Sequence, residues 1–343
     1  MKRSILAFPV AAAVLVAACQ DSTDPSSQLP ALPEAAAPAP DGLIASDISA
    51  TAVRHLWAVV ALNGTLTRGS RVTGATRLGV GQYEVTFDRS VTGCAYVATT
   101  NNAYSQALTI FTASGHSSAN GVYVETKNQG GGLTDGPFNL LVACGPLSTR
   151  FAVVGYSANL IRSTSGTTLT SLGSGRYNVR FANGVRGCAY LATVGDPGNQ
   201  LVFSPSGVYT GSGPDANTVY IEAKNPGGGL QSGVPFHLAL VCPGTATSRL
   251  AVVKPSGIPQ RASTGTAASR PSTGNYIVAN NLNISACAAI ATRGSVNTGV
   301  PFSPATVELT PGGGSNAIGV QIRQLLFFGG AMSNQAFHAA VIC

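Results

Sequence analysis

Seven cysteines, four histidines and thirteen acidic residues are the side chains with most capacity for chemistry in this 343-residue chain. Their spacing excludes most of that chemistry. No two cysteines form the close C-x-x-C pair that zinc ligation needs. Serine, histidine and aspartate are all present, but there is no G-x-S-x-G elbow to expose a nucleophile. Glu125 and Lys127, like Glu222 and Lys224, stand two apart, which puts each pair on one face of a strand as a solvated charge pair. Gln321 and Arg323 take these places later in the chain, and a catalytic acid would not be duplicated and then lost. The glycine runs NQGGGL at 128–133 and NPGGGL at 225–230 do not continue into G-K-[ST] and open no helix, so they read as flexible loops and not phosphate cradles. His237 and His338 each lie five residues before a cysteine, with Asn139 in the same slot before Cys144. Alone on their strands they read as ordinary edge or core residues; only around a common axis would they converge on a metal or anion. No catalytic residue, metal ligand or cofactor is assigned, and the chain is not expected to be an enzyme.

The cysteines belong to a longer pattern. VTGCAYVATT at 91–100 returns as VRGCAYLATV at 185–194 and as ISACAAIATR at 284–293. Counting from Ala58, Ala152 and Ala251, ten residues reach Arg68, Arg162 and Arg261, twenty-five reach Tyr83, Tyr177 and Tyr276, and thirty-six reach Cys94, Cys188 and Cys287. No gap is needed, and the periods are 94 and 99 residues. The second halves are looser, with VYVETKN answering VYIEAKN, and PFNLLVAC, PFHLALVC and AFHAAVIC closing the three copies. The third copy departs most, with Ala289 where the others have Tyr and LLFFGGAMSN in place of the GGGL loop.

Within a copy, short runs such as WAVVAL, YEVTF, CAYVAT and VYVET are rich in Val, Tyr, Phe and Thr and are separated by Gly, Asn, Ser or Pro. Asn63-Gly64 predicts a two-residue hairpin turn. The expected fold is all-β: three tandem antiparallel β-sandwich or small-barrel modules over 51–144, 145–242 and 243–343, each with six or seven strands. Equivalence of the copies also selects the disulfides: Cys94 with Cys144, Cys188 with Cys242, and Cys287 with Cys343, since exchange between copies would break the symmetry of the repeat. A loop of roughly 50 residues makes each bridge worth on the order of 4 kcal/mol.

These modules follow a different kind of sequence. Lys2 and Arg3 precede an apolar run over residues 5–18, too short to span a bilayer and shaped like a secretory signal. Leu15-Val16-Ala17-Ala18-Cys19 resembles the lipobox of bacterial lipoproteins, which implies a signal peptide over 1–18 and acylation of Cys19, with stable membrane attachment through several acyl chains. Residues 19–50 carry five prolines, no aromatic residue and five acidic residues without a lysine or arginine, and read as a disordered tether. Residues 51–343 then hold 18 basic against 8 acidic residues, a net of +10. The arginines are scattered and form no run, so no specific nucleic-acid partner is expected.

AVVALNGTLTRGS, GVGQYEVTF and VTGCAYVAT resemble the β-rich head modules that follow collagen-like or fibre segments in bacterial surface proteins. That group has no settled activity and no catalytic residues to carry over; its fibre heads work as homotrimers, and the resemblance offers a pseudo-trimer as one build for three copies in one chain, with beads on a string as the other. The function expected is a lipid-anchored protein of the cell envelope, at the outer membrane or cell surface, acting in display, adhesion or glycan binding. Its partners would be the membrane, through Cys19, and anionic envelope glycans or another surface protein. The alternatives are a purely structural envelope component and, with only eight carboxylates in the body, a secreted hydrolase.

Overall fold

The computed structural model describes residues 55–101, 107–145, 149–199, 206–244, 248–298, 304–324 and 330–343. The signal segment, Cys19 and the tether lie outside the described residues. Val53–Cys343 forms one compact unit, and its regular structure among the described residues is all β.

The first copy supplies β1 (Leu56–Val60), β2 (Leu66–Ser70), β3 (Val72–Gly79), β4 (Gln82–Phe87), β5 (Ala95–Thr100), β6 (Thr109–Ser114), β7 (Gly121–Lys127) and β8 (Phe138–Ala143). The second supplies β9 (Thr149–Val154), β10 (Leu160–Ser163), β11 (Thr168–Gly173), β12 (Arg176–Arg180), β13 (Ala189–Val194), β14 (Gly207–Ser212), β15 (Thr218–Lys224) and β16 (Phe236–Val241). In the third are β17 (Ser248–Val253), β18 (Pro259–Ala262), β19 (Thr266–Ser272), β20 (Asn275–Asn280), β21 (Ala288–Thr298), β22 (Ala305–Pro311), β23 (Ala317–Gln324) and β24 (Phe337–Ile342).

Among the described residues each copy therefore has eight strands, not six or seven. The two that sequence patterning missed in the first copy are β2 and β3, whose alternating half-buried and exposed residues carry too few apolar side chains to announce a strand. The same antiparallel pairing recurs in each copy: β2-β1-β8-β5 beside β3-β4-β7-β6, and likewise through β9–β16 and β17–β24. The sheets are open, which removes the small-barrel alternative.

The Asn63-Gly64 hairpin is present, with a longer loop than expected. Gly64 N–H donates to Ala61 O at 2.9 Å and Ala61 N–H to Thr65 O at 2.9 Å, enclosing three residues. Gly64 is left-handed at φ 85° while Asn63 is not, which is the turn-plus-bulge hairpin and not the two-residue type. Gly257 (φ 89°) repeats the device in the third copy; in the second the left-handed position is Ala158 (φ 57°).

One sheet of each copy is buried on both faces. Leu56, Ala58 and Val60 of β1 face the copy's own core with Tyr83, Val85, Phe138 and Leu140. The alternate residues Trp57 and Val59, with Ala95, Val97, Leu141 and Ala143, enter a second core shared with six equivalent residues from each of the other copies, among them Phe151, Val241, Leu250 and Ile342. A fully buried Val, Leu or Ile side chain is worth roughly 1.5–3 kcal/mol, so separating the copies would expose far more apolar surface than a domain can tolerate.

The sheets also cross from copy to copy. β5 of the first copy runs parallel to β22 of the third, with Thr100 opposite Glu308. β21 of the third runs parallel to β14 of the second, with Gly294 opposite Thr210, and a parallel bridge joins Gly195 after β13 of the second to Thr112 in β6 of the first. These contacts run in one sense and close a ring.

Candidate binding site at the junction of the first and third copies

The three junctions of the ring are built by the same positions. Arg162 Nε–H donates to Cys94 O at 2.8 Å, Arg261 Nε–H to Cys188 O at 3.0 Å, and Arg68 Nε–H to Cys287 O at 2.9 Å. Thr193, Thr292 and Thr99 reach across one turn of the ring in the same way: Ala98 N–H donates to Thr193 Oγ1 at 2.9 Å, Ala192 N–H to Thr292 Oγ1 at 3.3 Å and Ala291 N–H to Thr99 Oγ1 at 2.9 Å. These side chains saturate strand-edge groups that would otherwise be exposed or orphaned.

At two junctions an aromatic ring is clamped between neighbours. The Tyr96 ring stacks on His237 at 4.9 Å between centroids and lies under the Arg162 guanidinium at 5.4 Å. Tyr190 has the same place between His338 at 5.0 Å and Arg261 at 5.0 Å. Tyr96 N–H donates to His237 Nδ1 at 2.9 Å and Tyr190 N–H to His338 Nδ1 at 2.8 Å. With Nδ1 accepting, Nε2 carries the proton and donates to Asp196 O at 3.2 Å and to Ser295 O at 3.0 Å respectively. Burial, reinforced by Arg162 and Arg261, pushes both imidazoles down to about 3, so they stay neutral. The two histidines thus have both ring nitrogens engaged between strands, and no group of three or more potential metal ligands occurs among the described residues.

The third junction departs from the other two as a set. Ala289 stands where Tyr96 and Tyr190 stand, and Asn139 replaces histidine. Asn139 Nδ2–H donates to Ala289 O at 2.8 Å, while Asn139 Oδ1 is buried without a hydrogen-bond partner. The glycines that approach the histidines become Asn101; a Cβ at Gly195 would lie 2.5 Å from Thr112 Oγ1, 2.6 Å from Thr112 O and 2.7 Å from His237 Cδ2, and Asn139 in place of histidine relieves only the last of these. The registers of Phe111 with Glu125, Tyr209 with Glu222 and Glu308 with Gln321 make Leu309 the equivalent of Thr112, and Pro311 the equivalent of Ser114.

The result is a recess of about 210 Å³ lined by Arg68, Asn101, Asn139, Ile284, Ala289 and Leu309. Exposed Ser285, Pro311, Gly314 and Ser315 form its solvent rim. Burial lowers the pKa of Arg68, whose charge nonetheless persists at any physiological pH. Beside the recess, Glu308 is fully buried, accepts Leu108 N–H at 2.9 Å and stands 3.9 Å from Arg323; burial pushes its carboxyl up to about 7. Sequence reasoning passed over Glu308, although Phe111 and Tyr209 hold its place in the other copies.

The other residues singled out by sequence have structural places. Disulfides join Cys94 to Cys144, Cys188 to Cys242 and Cys287 to Cys343, bridging neighbouring antiparallel strands within each copy. The Glu125–Lys127 pair (2.8 Å) and the Glu222–Lys224 pair (3.0 Å) are buried, not solvated. In the first copy residues 115–118 fold over that face: Ser117 N–H donates to Glu84 Oε1 at 3.1 Å and His116 stacks on Tyr123 at 3.9 Å. The GGGL loops are closed turns rather than slack ones, since Asn128 Oδ1 accepts Gly132 N–H at 3.0 Å and Asn225 Oδ1 accepts Gly229 N–H at 3.0 Å. Comparison of the chain with protein-family models, with curated proteins and with solved structures finds no match in any of the three.

Proposed function

We propose that this protein is a non-catalytic binding head displayed outside the cytoplasm, attached through acylated Cys19 and the tether over residues 19–50, and acting in adhesion or in recognition of anionic envelope glycans or another surface protein. The observation that carries the reading is the use made of the reactive side chains. His237, His338, Arg162 and Arg261 are all committed to hydrogen bonds that fasten one copy to the next. A scaffold that spends its titratable groups on rigidity, and is stapled by three disulfides, suits an oxidising compartment and a binding role better than turnover. The net +10 of residues 51–343 favours anionic partners through long-range attraction.

Two measurements test it. Metabolic labelling with a clickable fatty acid in a bacterial host should tag the full chain and fail in Cys19→Ser, with the wild-type protein in the membrane fraction. A glycan array probed with the soluble body should return acidic glycans in a salt-sensitive manner. Label in Cys19→Ser, or hydrolysis of the arrayed polysaccharides, would overturn the proposal.

A further inference from the structure

We propose that the recess between the first and third copies is a ligand site for a single phenol-type aromatic ring. The inference rests on the recess alone and is independent of lipid attachment or glycan binding. The protein carries its own picture of the occupant, because the other two junctions show what fills the same place. There the slot takes a tyrosine ring from the chain. At the third, the clamping arginine and its anchor on a cysteine carbonyl are kept, while the ring is missing and the histidine is replaced by Asn139.

Three features of the emptied slot match a phenol. Arg68 is anchored to Cys287 O at 2.9 Å as Arg162 is to Cys94 O at 2.8 Å, so its guanidinium is held to cover a ring as Arg162 covers Tyr96. The Ile284 carbonyl accepts Cys287 N–H at 3.0 Å, just as Val91 O accepts Cys94 N–H at 3.0 Å. In the first copy Val91 O takes a second hydrogen bond, from the Tyr96 hydroxyl at 2.8 Å, whereas the Tyr190 hydroxyl is buried without a partner; Ile284 O has, to offer a phenol hydroxyl, the lone pair that Val91 O uses. Asn139, only 3 % exposed, is among the lining residues, and its Oδ1 is buried without a hydrogen-bond partner, a second acceptor that a small shift of the side chain would offer to a ligand. The walls between these polar points are Ala289, Leu309 and Ile284. The volume of about 210 Å³ suffices, since an apolar cavity of roughly 150 Å³ takes up benzene.

The replacements also act together. Restoring tyrosine alone at Ala289 would refill the slot, whereas the chain has changed the histidine, glycine, threonine and serine positions around it as well, leaving the arginine. This pattern keeps the arginine half of the aromatic clamp and leaves the recess a rim of exposed residues.

The test uses the full mature chain with p-cresol, the tyrosine side chain as a free molecule, followed by calorimetry and by the methyl resonances of Ile284 and Leu309. Saturable binding with shifts at both methyls is expected, lost in Ala289→Tyr and weakened about fivefold in Arg68→Ala, the range of a partly desolvated cation–π contact. Should Ala289→Tyr not fold, Ala289→Leu fills part of the slot and must weaken binding. The peptide Gly-Tyr-Gly separates two sources of the ring. Binding of both p-cresol and the peptide assigns the slot to an exposed tyrosine of a partner, and binding of p-cresol alone to a small phenol. Failure of both to bind, binding that survives in Ala289→Tyr, or binding of methyl glucoside in preference to p-cresol would each overturn the proposal.

Discussion

Mild acid should lower the stability of the fold through the histidines of two of the three junctions. His237 and His338 accept a backbone N–H through Nδ1, so protonation removes that bond and places a cation beside Arg162 or Arg261. Their folded pKa is about 3, against 6.5 when unfolded. Between these values the unfolded chain binds the additional protons, so stability falls as pH falls, by roughly 1.4 kcal/mol per pH unit for each histidine. His55, also lowered by burial, adds in the same direction. Glu308 opposes it: its carboxyl is at about 7 when folded and 4.5 when unfolded, so the folded state binds the proton and gains stability as pH drops through that window.

The raw profile is therefore a sum, and the histidines must be isolated by difference. The protein supplies the variant, since Asn139 already serves in the same slot. His237→Asn with His338→Asn should keep the ring without the titration. Urea unfolding of both proteins, bridges intact, is to be measured at pH 7, 6 and 5. The wild type should lose roughly 2.5 kcal/mol more than the double variant between pH 6 and pH 5. Equal pH slopes for the two proteins would refute the assignment of neutral, doubly bonded imidazoles to the junctions.

Three further outcomes are expected. Ala158→Gly, which relieves the left-handed backbone at φ 57°, should stabilise the protein by about 0.5–1 kcal/mol in chemical denaturation, and a loss of stability would show that Ala158 is unstrained there. Tyr96→Ala should cost about 3–5 kcal/mol and create a second recess, and p-cresol should recover part of that loss as a rise in melting temperature. A fragment of residues 145–242 alone should not unfold cooperatively as a soluble monomer, because Phe151, Val153, Leu191 and Val241 would face water; a stable monomer would mean that the shared core is dispensable.

Much of the fold was legible from sequence because it repeats. The ungapped spacing from Ala58 to Arg68, Tyr83 and Cys94 identifies equivalent backbone without any knowledge of contacts, and β punctuation gives the class. The weakly apolar strands β2 and β3 were not legible, since one face is exposed and the other only half-buried, which asks for few apolar side chains. A signal for the shared core was present and unused: LWAVV, FNLLVA, FHLALV and FHAAVI are unbroken apolar or nearly apolar runs. A strand wet on one face would alternate.

The candidate site was half visible. Ala289 and Asn139 stood out as departures from their equivalents, but they lie 150 residues apart and nothing in their spacing says that they touch. The buried Glu125–Lys127 and Glu222–Lys224 pairs were misjudged for a related reason. Period-two spacing states which residues share a face, not whether a neighbouring loop covers it.

The sequence by itself determined that three equivalent all-β segments exist and which residues correspond among them, because correspondence is a property of order along the chain. Only the tertiary structure decided that each segment lends its arginine and threonine, and two of the three a histidine, to the next around a ring, and that the junction lacking a tyrosine is hollow. Both are matters of long-range contact, set by how the doubly apolar sheets bury their second faces against one another.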